Sequence, residues 1–271
     1  TLSVLNEAKS QIANSEKLFL YHPESDRYFV GDEIDQAECH KVDFDFEKIP
    51  LNDEKVYQSI YEGNTVGVFQ FSAGPTTNLA KQIRATNINE LSDIIALVRP
   101  GPFDSGMTKS YIERKNNGVK WKKLHPIYEE ITKNTFGVIV YQEQIMEVIH
   151  KVAGLSYTTA DKIRKVISKK RDVKEFKPYE DAFTQGCLKM KTLSKKEAEE
   201  FWKALQASAN YLFNLSHSVA YSILAYYCAW VKMYFPVEFM CASLTYGSEG
   251  KKEEMVEEAN AYYIEHPKSD I

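Results

Sequence analysis

Apolar residues recur at helical spacing along most of this chain. Leu2, Leu5, Ala8 and Ile12 lie three or four positions apart, which predicts a helix over residues 2–12. Similar spacing and helix-boundary residues predict further helices over residues 54–62, 76–84, 87–97, 105–116, 125–133, 142–152, 159–171, 177–190, 194–209, 218–235 and 249–263. The pattern therefore indicates a mainly α fold.

Strand-like sequence is confined to the N-terminal region. Residues 18–21 and 27–30 are apolar or aromatic runs that flank the turn sequence His22-Pro-Glu-Ser-Asp26, which predicts a small β-hairpin. Residues 42–46 alternate between apolar and acidic side chains and predict a short extended piece. Because Arg99-Pro-Gly-Pro102 contains two prolines, we expect a helix to end there and a rigid loop to follow.

The composition is that of an ordinary folded protein. The chain has 271 residues, of which 44% are hydrophobic and 27% charged, enough for one large domain or two smaller ones. Its four cysteines lack metal-ligand spacing, which favours free thiols in a reducing cytoplasm. Residues 219–231 form the most apolar stretch, which is too short to cross a bilayer. We therefore expect a cytoplasmic protein with no membrane partner.

Positive charge is gathered in one segment. The chain has a net charge of -4, yet the ten residues from Lys162 to Arg171 include six basic side chains and no acidic one. A helix there, capped by Thr158 or Thr159, would have an apolar face and a face of cations. The apolar face would contain Ala160, Ile163, Val166 and Ile167. Such a row of cations suits a triphosphate, a nucleic-acid backbone or both, and the alternative is a solvated charged surface.

Seven sequence motifs occur in one order along the chain. They are Gly67-Val-Phe-Gln70, Ile94-Ile-Ala-Leu-Val-Arg-Pro-Gly-Pro102, Gly137-Val-Ile-Val-Tyr-Gln-Glu-Gln-Ile-Met146, Ala153-Gly154, Ala160-Asp-Lys-Ile-Arg-Lys165, Phe213-Asn-Leu-Ser-His-Ser-Val-Ala-Tyr221 and Phe235-Pro-Val-Glu-Phe239. With these motifs the chain resembles the bacterial C-family replicative DNA polymerases, the α subunit of DNA polymerase III. The resemblance covers roughly residues 50–245 and implies the helical fingers region.

The resemblance also implies a domain organisation. Residues 1–48 would be a palm-to-fingers linker with the small β element, residues 49–245 the helical fingers domain, and residues 246–271 an acidic helix leading toward a downstream domain. Thr1-Leu-Ser-Val-Leu5 resembles the segment just after the last catalytic aspartate of the palm. The carboxylates that hold Mg²⁺ would then lie outside this chain. Asp43 and Asp45 have the spacing of a metal-binding pair, but the resemblance assigns them to the variable acidic linker, so we expect no metal site here.

The family's nucleotide-binding residues can be carried over to particular positions. Arg164 and Lys165, followed by Lys169, would reach the triphosphate of the incoming dNTP. Other candidates for this site are Arg99, Tyr141, Gln142, Asn214, Ser216 and His217. Three of them have structural alternatives. Arg99 could instead pair with Asp93 or Asp104, Tyr141 could be a core residue, and His217 could be a capping or core residue.

A second set of cations is a candidate for binding the DNA backbone. Its members are Lys109, Arg114, Lys115, Lys170 and Arg171, with Lys120, Lys122 and Lys123 nearby in sequence. Contacts of this kind neutralise phosphates without reading sequence. A solvated charged surface is the alternative.

Four positions depart from the family pattern. Val98, Lys165, Ser168 and Leu215 stand where the family commonly has Tyr, Arg, Gly and Lys. Lys165 keeps the charge but loses the bidentate geometry of an arginine. These departures indicate a divergent member, of phage origin. The start at Thr1, just past a palm-like motif, would also fit a gene split or an intein junction, and simple truncation is the alternative.

The resemblance predicts the fingers portion of a DNA-directed DNA polymerase, a nucleotidyltransferase that is inactive without its palm. The expected partners are dNTP, template-primer DNA, the palm and PHP portion in cis or as a separate chain, and a sliding clamp reached through a downstream region. The expected cofactor is Mg²⁺ held by the palm. The alternative function is a non-catalytic helical DNA-binding or scaffold protein derived from a polymerase.

Overall fold

The computed structural model describes residues 1–31, 39–121, 125–167, 173–209, 211–247 and 249–266. These residues form fourteen α-helices and one small sheet. The helices are α1 (Leu2–Ile12), α2 (Glu54–Glu62), α3 (Gly74–Ile83), α4 (Ile88–Leu97), α5 (Pro100–Asp104), α6 (Met107–Asn117), α7 (Pro126–Ile131), α8 (Gln142–Ala153), α9 (Tyr157–Ile167), α10 (Val173–Met190), α11 (Lys195–Ala209), α12 (Leu215–Tyr234), α13 (Pro236–Tyr246) and α14 (Glu249–Glu265). The predicted fold class is confirmed.

The sheet has three antiparallel strands. They are β1 (Leu18–His22), β2 (Arg27–Gly31) and β3 (His40–Lys41), in the order β2-β1-β3. In this register Leu20 of the central strand lies between Phe29 and Lys41. The hairpin prediction is confirmed.

The extended piece predicted at residues 42–46 is only partly formed. The amide of Val42 still bonds to the carbonyl of Phe19 at 3.0 Å, but the strand proper ends at Lys41. A 3₁₀ turn, Phe46–Lys48, then begins, because the Asp45 carboxylate accepts a hydrogen bond from the amide of Glu47. This interaction is an N-cap, which a short aspartate side chain makes readily.

Two prediction errors concern proline. The segment after Arg99 was predicted as a loop, but Pro100 begins the short helix α5. The first turn of a helix does not use its backbone N–H groups, so a proline fits there without losing a hydrogen bond. Helix α13 was not predicted, and it likewise begins at Pro236, directly after the end of α12.

The start of α9 also differs from the prediction. The helix begins at Tyr157, so Thr158 and Thr159 lie inside it and cannot cap it. The side chain of Ser156 takes that role, because its Oγ accepts a hydrogen bond from the amide of Thr159 at 3.2 Å. The predicted continuation of this helix over residues 168–171 lies outside the described residues.

The chain divides into two compact units. One comprises residues 1–91 and 220–271, and the other comprises Ser92–Val219, with the boundaries inside α4 and α12. In the first unit α1 packs against α13, and a cluster of rings forms the core around Trp230. The ring of Phe44 lies 6.0 Å from that of Trp230 and 5.3 Å from that of Phe19.

The second unit is built around α8. This helix packs against α7, α9 and α10, and its core includes Ile149, Phe183, Phe201 and Trp202. Helix α9 contributes three residues of the predicted apolar face, Ala160, Ile163 and Ile167, all buried. Val166 is only half-buried. Of the described cations of α9, Lys162 and Lys165 are exposed, whereas Arg164 is partly buried.

The four cysteines are free thiols, as expected. None of the described helices is both long and apolar enough to span a membrane.

Candidate functional site

Arg164 and Lys165 lie in the last turn of α9 and differ in exposure. The side chain of Arg164 is 17% exposed, whereas that of Lys165 is 58% exposed. Ile163, the residue before them, is fully buried, which fixes the orientation of this turn on the core. The two cations are thus adjacent on a helix that cannot rotate without exposing its apolar face.

Asp161 holds both cations. Its Oδ1 accepts hydrogen bonds from Nε and Nη2 of Arg164 at 3.0 and 2.7 Å. Its Oδ2 lies 2.6 Å from Nζ of Lys165. Hydrogen bonds from Lys165 and then Arg164 lower the pKa of the Asp161 carboxyl below its usual value, so this carboxylate is charged at neutral pH.

Arg164 also connects α9 to α8. Its Nη1 donates to Oε1 of Gln142, the first residue of α8, at 2.7 Å. The backbone of Gln142 in turn donates to the carbonyl of Phe213 at 2.9 Å, and the amide of Phe213 donates to the carbonyl of Val140 at 3.0 Å. Two segments that are about seventy residues apart in sequence are thereby joined.

The N-terminal end of α12 lies next to this junction. Asn214 caps the helix, since its Oδ1 accepts from the amide of His217 at 2.9 Å. Glu143 accepts from Nδ2 of Asn214 and from the amide of Leu215, both at 3.0 Å. A carboxylate there complements the positive end of the helix dipole. Ser216 and His217 are exposed, and the His217 ring lies 5.5 Å from that of Phe213.

Arg99 contacts the same phenylalanine. Its guanidinium lies 4.6 Å from the centre of the Phe213 ring, a cation–π geometry. Its Nε donates to the carbonyl of Ala96 at 3.0 Å and its Nη2 to that of Tyr211 at 2.6 Å. Burial lowers the pKa of the guanidinium. Arg99 therefore bonds to main-chain carbonyls rather than to Asp93 or Asp104, the two pairings considered from the sequence.

Tyr141 lies behind this surface. Its side chain is 4% exposed, and its hydroxyl lies 2.6 Å from Oδ1 of Asp93 and 3.0 Å from Oγ of Ser92. Tyr111 donates to the other oxygen of Asp93 at 2.6 Å. Burial first, and then the Asp93 charge, raises the pKa of Tyr141 well above its usual value. In this conformation the ring is a core residue and does not face solvent.

The basic residues of α6 form a separate group. Lys109 is exposed and lies 3.8 Å from Glu113. Arg114 donates to the carbonyl of Phe136 at 3.2 Å and lies 5.0 Å from the centre of the Trp121 ring, so it anchors local structure. Lys115 is half-buried.

Several predicted basic residues cannot be placed. Lys169, Lys170, Arg171, Lys122 and Lys123 lie outside the described residues.

A model of the family described as the bacterial DNA polymerase III alpha subunit finger domain matches residues 29–191. The chain belongs to this family. Among curated proteins, it is 37% identical over 208 residues to DNA polymerase III subunit alpha of Aquifex aeolicus, covering 77% of this chain and 18% of that protein. It is 37% identical over 224 residues to the same subunit of Mycobacterium tuberculosis (strain H37Rv), covering 80% of this chain and 18% of that protein. For Helicobacter pylori (strain J99) the identity is 38% over 222 residues, with the same two shares.

The resemblance inferred from the seven motifs is thus confirmed. The chain spans about 18% of the length of these relatives. The matched range includes Arg99, Tyr141, Gln142, Arg164 and Lys165. The candidates in the α12 segment, Asn214, Ser216 and His217, lie beyond the end of the family match.

Direct contacts join five of the predicted site residues of this fingers domain. Arg99, Gln142 and His217 each contact Phe213. Arg164 joins through Gln142, and Asn214 follows Phe213 in the chain. The name Phe213 surface is used below for Phe213, these five residues, Lys165 and Asp161.

Three residues of this site were not candidates in the sequence analysis. Phe213 is the centre of the surface, Asp161 holds the cations, and Glu143 supports the surface by holding the start of α12. Phe213 and Glu143 occur in the motifs that carry the resemblance, so the sequence did point to their segments. Their roles depend on contacts across about seventy residues of sequence, which spacing cannot predict.

Asp43 and Asp45 have structural contacts. Asp45 caps a 3₁₀ turn and lies 3.7 Å from Nζ of Lys9, and the carbonyl of Asp43 accepts from Lys48 at 3.3 Å. Among the described residues, no group of three or more His, Cys, Asp and Glu side chains could hold a metal ion.

Proposed function

We propose that this fingers domain binds the triphosphate of an incoming dNTP during DNA replication. The reaction is addition of a dNMP to a primer 3′ end, directed by a template. Aspartates of a palm outside this chain would hold Mg²⁺, which would supply the charge stabilisation that phosphoryl transfer needs. Alone, this chain binds nucleotide but does not catalyse the reaction.

The Phe213 surface is the observation that carries this proposal. Arg164 and Lys165 are adjacent cations on a helix fixed by its apolar face, and Arg164 is oriented by a second helix through Gln142. Phosphoryl transfer needs fixed positive charge near the phosphate oxygens, where negative charge accumulates. Arginine supplies paired donors and lysine a point charge.

Other predicted residues in or beside the Phe213 surface have separate roles. Ser216 and His217 are exposed at the N-terminal end of α12, where their side chains would contact the bound nucleotide. Arg99 is oriented by two carbonyls and by the ring of Phe213. Tyr141 supports the surface from the core, because its hydroxyl bonds hold the backbone next to Gln142.

Template-primer DNA is the second ligand that we propose. Exposed Lys109 and half-buried Lys115 of α6, together with Lys170 and Arg171, would track backbone phosphates. Arg114 supports this helix through Phe136 and Trp121. Because such binding releases counterions, it should weaken steeply with added salt.

Family membership supports a proposal for the wider assembly. The partners would be the palm and PHP portion of the polymerase, in cis or as a separate chain, and a sliding clamp reached through a downstream region. We assign the fingers domain to residues 49–245, with residues 1–48 as its linker to the palm and residues 246–271 as the acidic helix toward the next domain. The departures at Val98, Lys165, Ser168 and Leu215 support a divergent member, of phage origin, in a bacterial cytoplasm.

Nucleotide titration tests the triphosphate site. Binding of dATP and of dAMP would be measured by calorimetry for the wild-type chain and for Arg164→Ala with Lys165→Ala. We expect dATP to bind more tightly than dAMP, and the double variant to lose this difference. Lys195→Ala with Lys196→Ala removes two exposed cations of α11 and serves as a matched control.

Because Arg164 is mostly buried, the single variant Lys165→Ala is included to separate lost binding from lost folding. It should fold normally and still weaken dATP binding. DNA binding with no preference for dATP over dAMP in the wild-type chain would contradict the proposal. That result would favour the non-catalytic scaffold.

A further inference from the structure

Asp161 divides its two oxygens between two cations. Oδ1 bonds to Arg164 at 2.7 Å and Oδ2 lies 2.6 Å from Lys165. A carboxylate of α9 itself thus bridges both cations from the preceding turn of the same helix. Nothing in the core requires this arrangement, since Asp161 lies on the polar side of the helix and is part-exposed.

A phosphate group would engage the same two side chains in a similar way. It also offers two or more oxygens that accept short, charge-assisted hydrogen bonds from Arg and Lys. The position of the Asp161 carboxylate relative to Arg164 and Lys165 is therefore that of an anion bound to the pair.

We propose that Asp161 is an internal counter-anion of the triphosphate site. Its carboxylate holds Arg164 and Lys165 together and releases both side chains when a triphosphate binds. The inference rests on the function proposed above. In this proposal Asp161 competes with the ligand for Arg164 and Lys165, in addition to positioning these two cations.

The exchange is energetically accessible. The side chain of Asp161 is 34% exposed and that of Lys165 is 58% exposed, and an exposed i,i+4 ion pair of this kind is worth at most about 1 kcal/mol. A triphosphate has several negative charges against the single charge of Asp161. Gln142 keeps its own hydrogen bond to Nη1 of Arg164, so the guanidinium stays oriented while the carboxylate leaves.

Asp161→Asn separates competition from simple positioning. If Asp161 competes, the neutral amide should raise dATP affinity about fivefold, the factor that corresponds to about 1 kcal/mol. Affinity should also fall more steeply with added salt, because the protein no longer neutralises one of the two cations. If Asp161 only positions the cations, the same variant should bind dATP more weakly.

The experiment is calorimetric titration of the full chain with dATP, at low and at physiological salt, for the wild type and the two variants Asp161→Asn and Asp181→Asn. Asp181→Asn removes an exposed carboxylate of α10, whose Oδ1 lies 3.1 Å from Nζ of Lys177. This variant controls for the change in net charge. Thermal unfolding of each variant verifies that it is folded.

The outcomes are distinct. A gain of about fivefold in Asp161→Asn alone, with the steeper salt dependence, supports the inference. An unchanged or weaker affinity in that variant, or an equal gain in Asp181→Asn, overturns it while leaving the triphosphate site intact. Failure of the wild-type chain and of Asp161→Asn to bind dATP overturns both the inference and the proposed function.

Discussion

Tyr141→Phe tests whether this tyrosine belongs to the core or faces the nucleotide. The substitution removes one oxygen and leaves the ring, so it creates almost no cavity. The lost hydroxyl lies 2.6 Å from Oδ1 of Asp93, whose side chain is 1% exposed. The carboxylate would keep the hydrogen bond from Tyr111 on its other oxygen.

The structure sets the magnitude of the effect. A hydrogen bond to a charged group contributes about 1.5–3 kcal/mol, and a buried acceptor that loses its donor cannot turn to water instead. We expect Tyr141→Phe to lower the free energy of unfolding by about 2 kcal/mol. For a chain of this size that corresponds to a fall in Tm of about 4–8 °C.

Urea unfolding followed by circular dichroism measures this change. Tyr157→Phe is the matched control, because Tyr157 is 54% exposed and an exposed substitution of this kind changes stability by less than about 0.5 kcal/mol. Tyr111→Phe removes the other phenol from the same carboxylate. The double variant should therefore depart from the sum of the two single effects.

Two results would refute this reasoning. If Tyr141→Phe were as stable as the wild type and altered dATP affinity, the hydroxyl would act at the ligand rather than in the core. A variant as stable as the wild type, with unchanged dATP affinity, would show that the hydrogen bond between Tyr141 and Asp93 does not stabilise the fold.

Three further predictions concern buried polar groups. Lys232→Met should lower the free energy of unfolding in urea by about 1–3 kcal/mol. The side chain of Lys232 is 11% exposed and its Nζ lies 2.7 Å from Oε1 of Glu258, which would lose this partner. Equal stability would show that the pair contributes nothing. Burial raises the pKa of Cys187 and of Cys228 to about 11, so neither thiol should react with a disulfide reagent at pH 8 until the protein unfolds; rapid labelling of the native protein at either position would contradict this. Burial also raises the pKa of Tyr128 to about 12, so its contribution to stability is complete below pH 10 and is lost as the pH rises toward 12; Tyr128→Phe should flatten the alkaline part of the stability profile, and an unchanged profile would show that other groups dominate.

The elements that sequence predicted well depend on local chemistry. Helix α2 forms where it was predicted, because the carboxylate of Asp53 caps it by accepting from the amide of Lys55. The apolar spacing of α9 correctly predicted three of its buried residues. Helix α13 was missed because the sequence after Pro236 is apolar on most sides and shows no helical alternation. Its burial depends on tertiary packing against α1, which a single sequence does not reveal.

The site residues stay predictions, and the sequence carried less information about their contacts than about their identity. The charge pattern predicted a cationic helix over residues 159–171, and the family resemblance singled out Arg164 and Lys165 within it. The arrangement around Phe213 could not be predicted, because it depends on pairing between residues 140–142 and residue 213. Tyr141 was a nucleotide-site candidate from its motif, and only the contacts with Ser92 and Asp93 show where its hydroxyl bonds.

Primer extension by a reconstituted enzyme tests the central claim most directly. This chain would be mixed with a polypeptide that carries the upstream palm, together with primed template, Mg²⁺ and dNTPs. We predict extension with the wild-type chain, and a large loss with Arg164→Ala and Lys165→Ala but not with Lys195→Ala and Lys196→Ala. No extension by the wild-type mixture, with DNA binding intact and no measurable dNTP binding, would contradict a fingers domain that serves a polymerase.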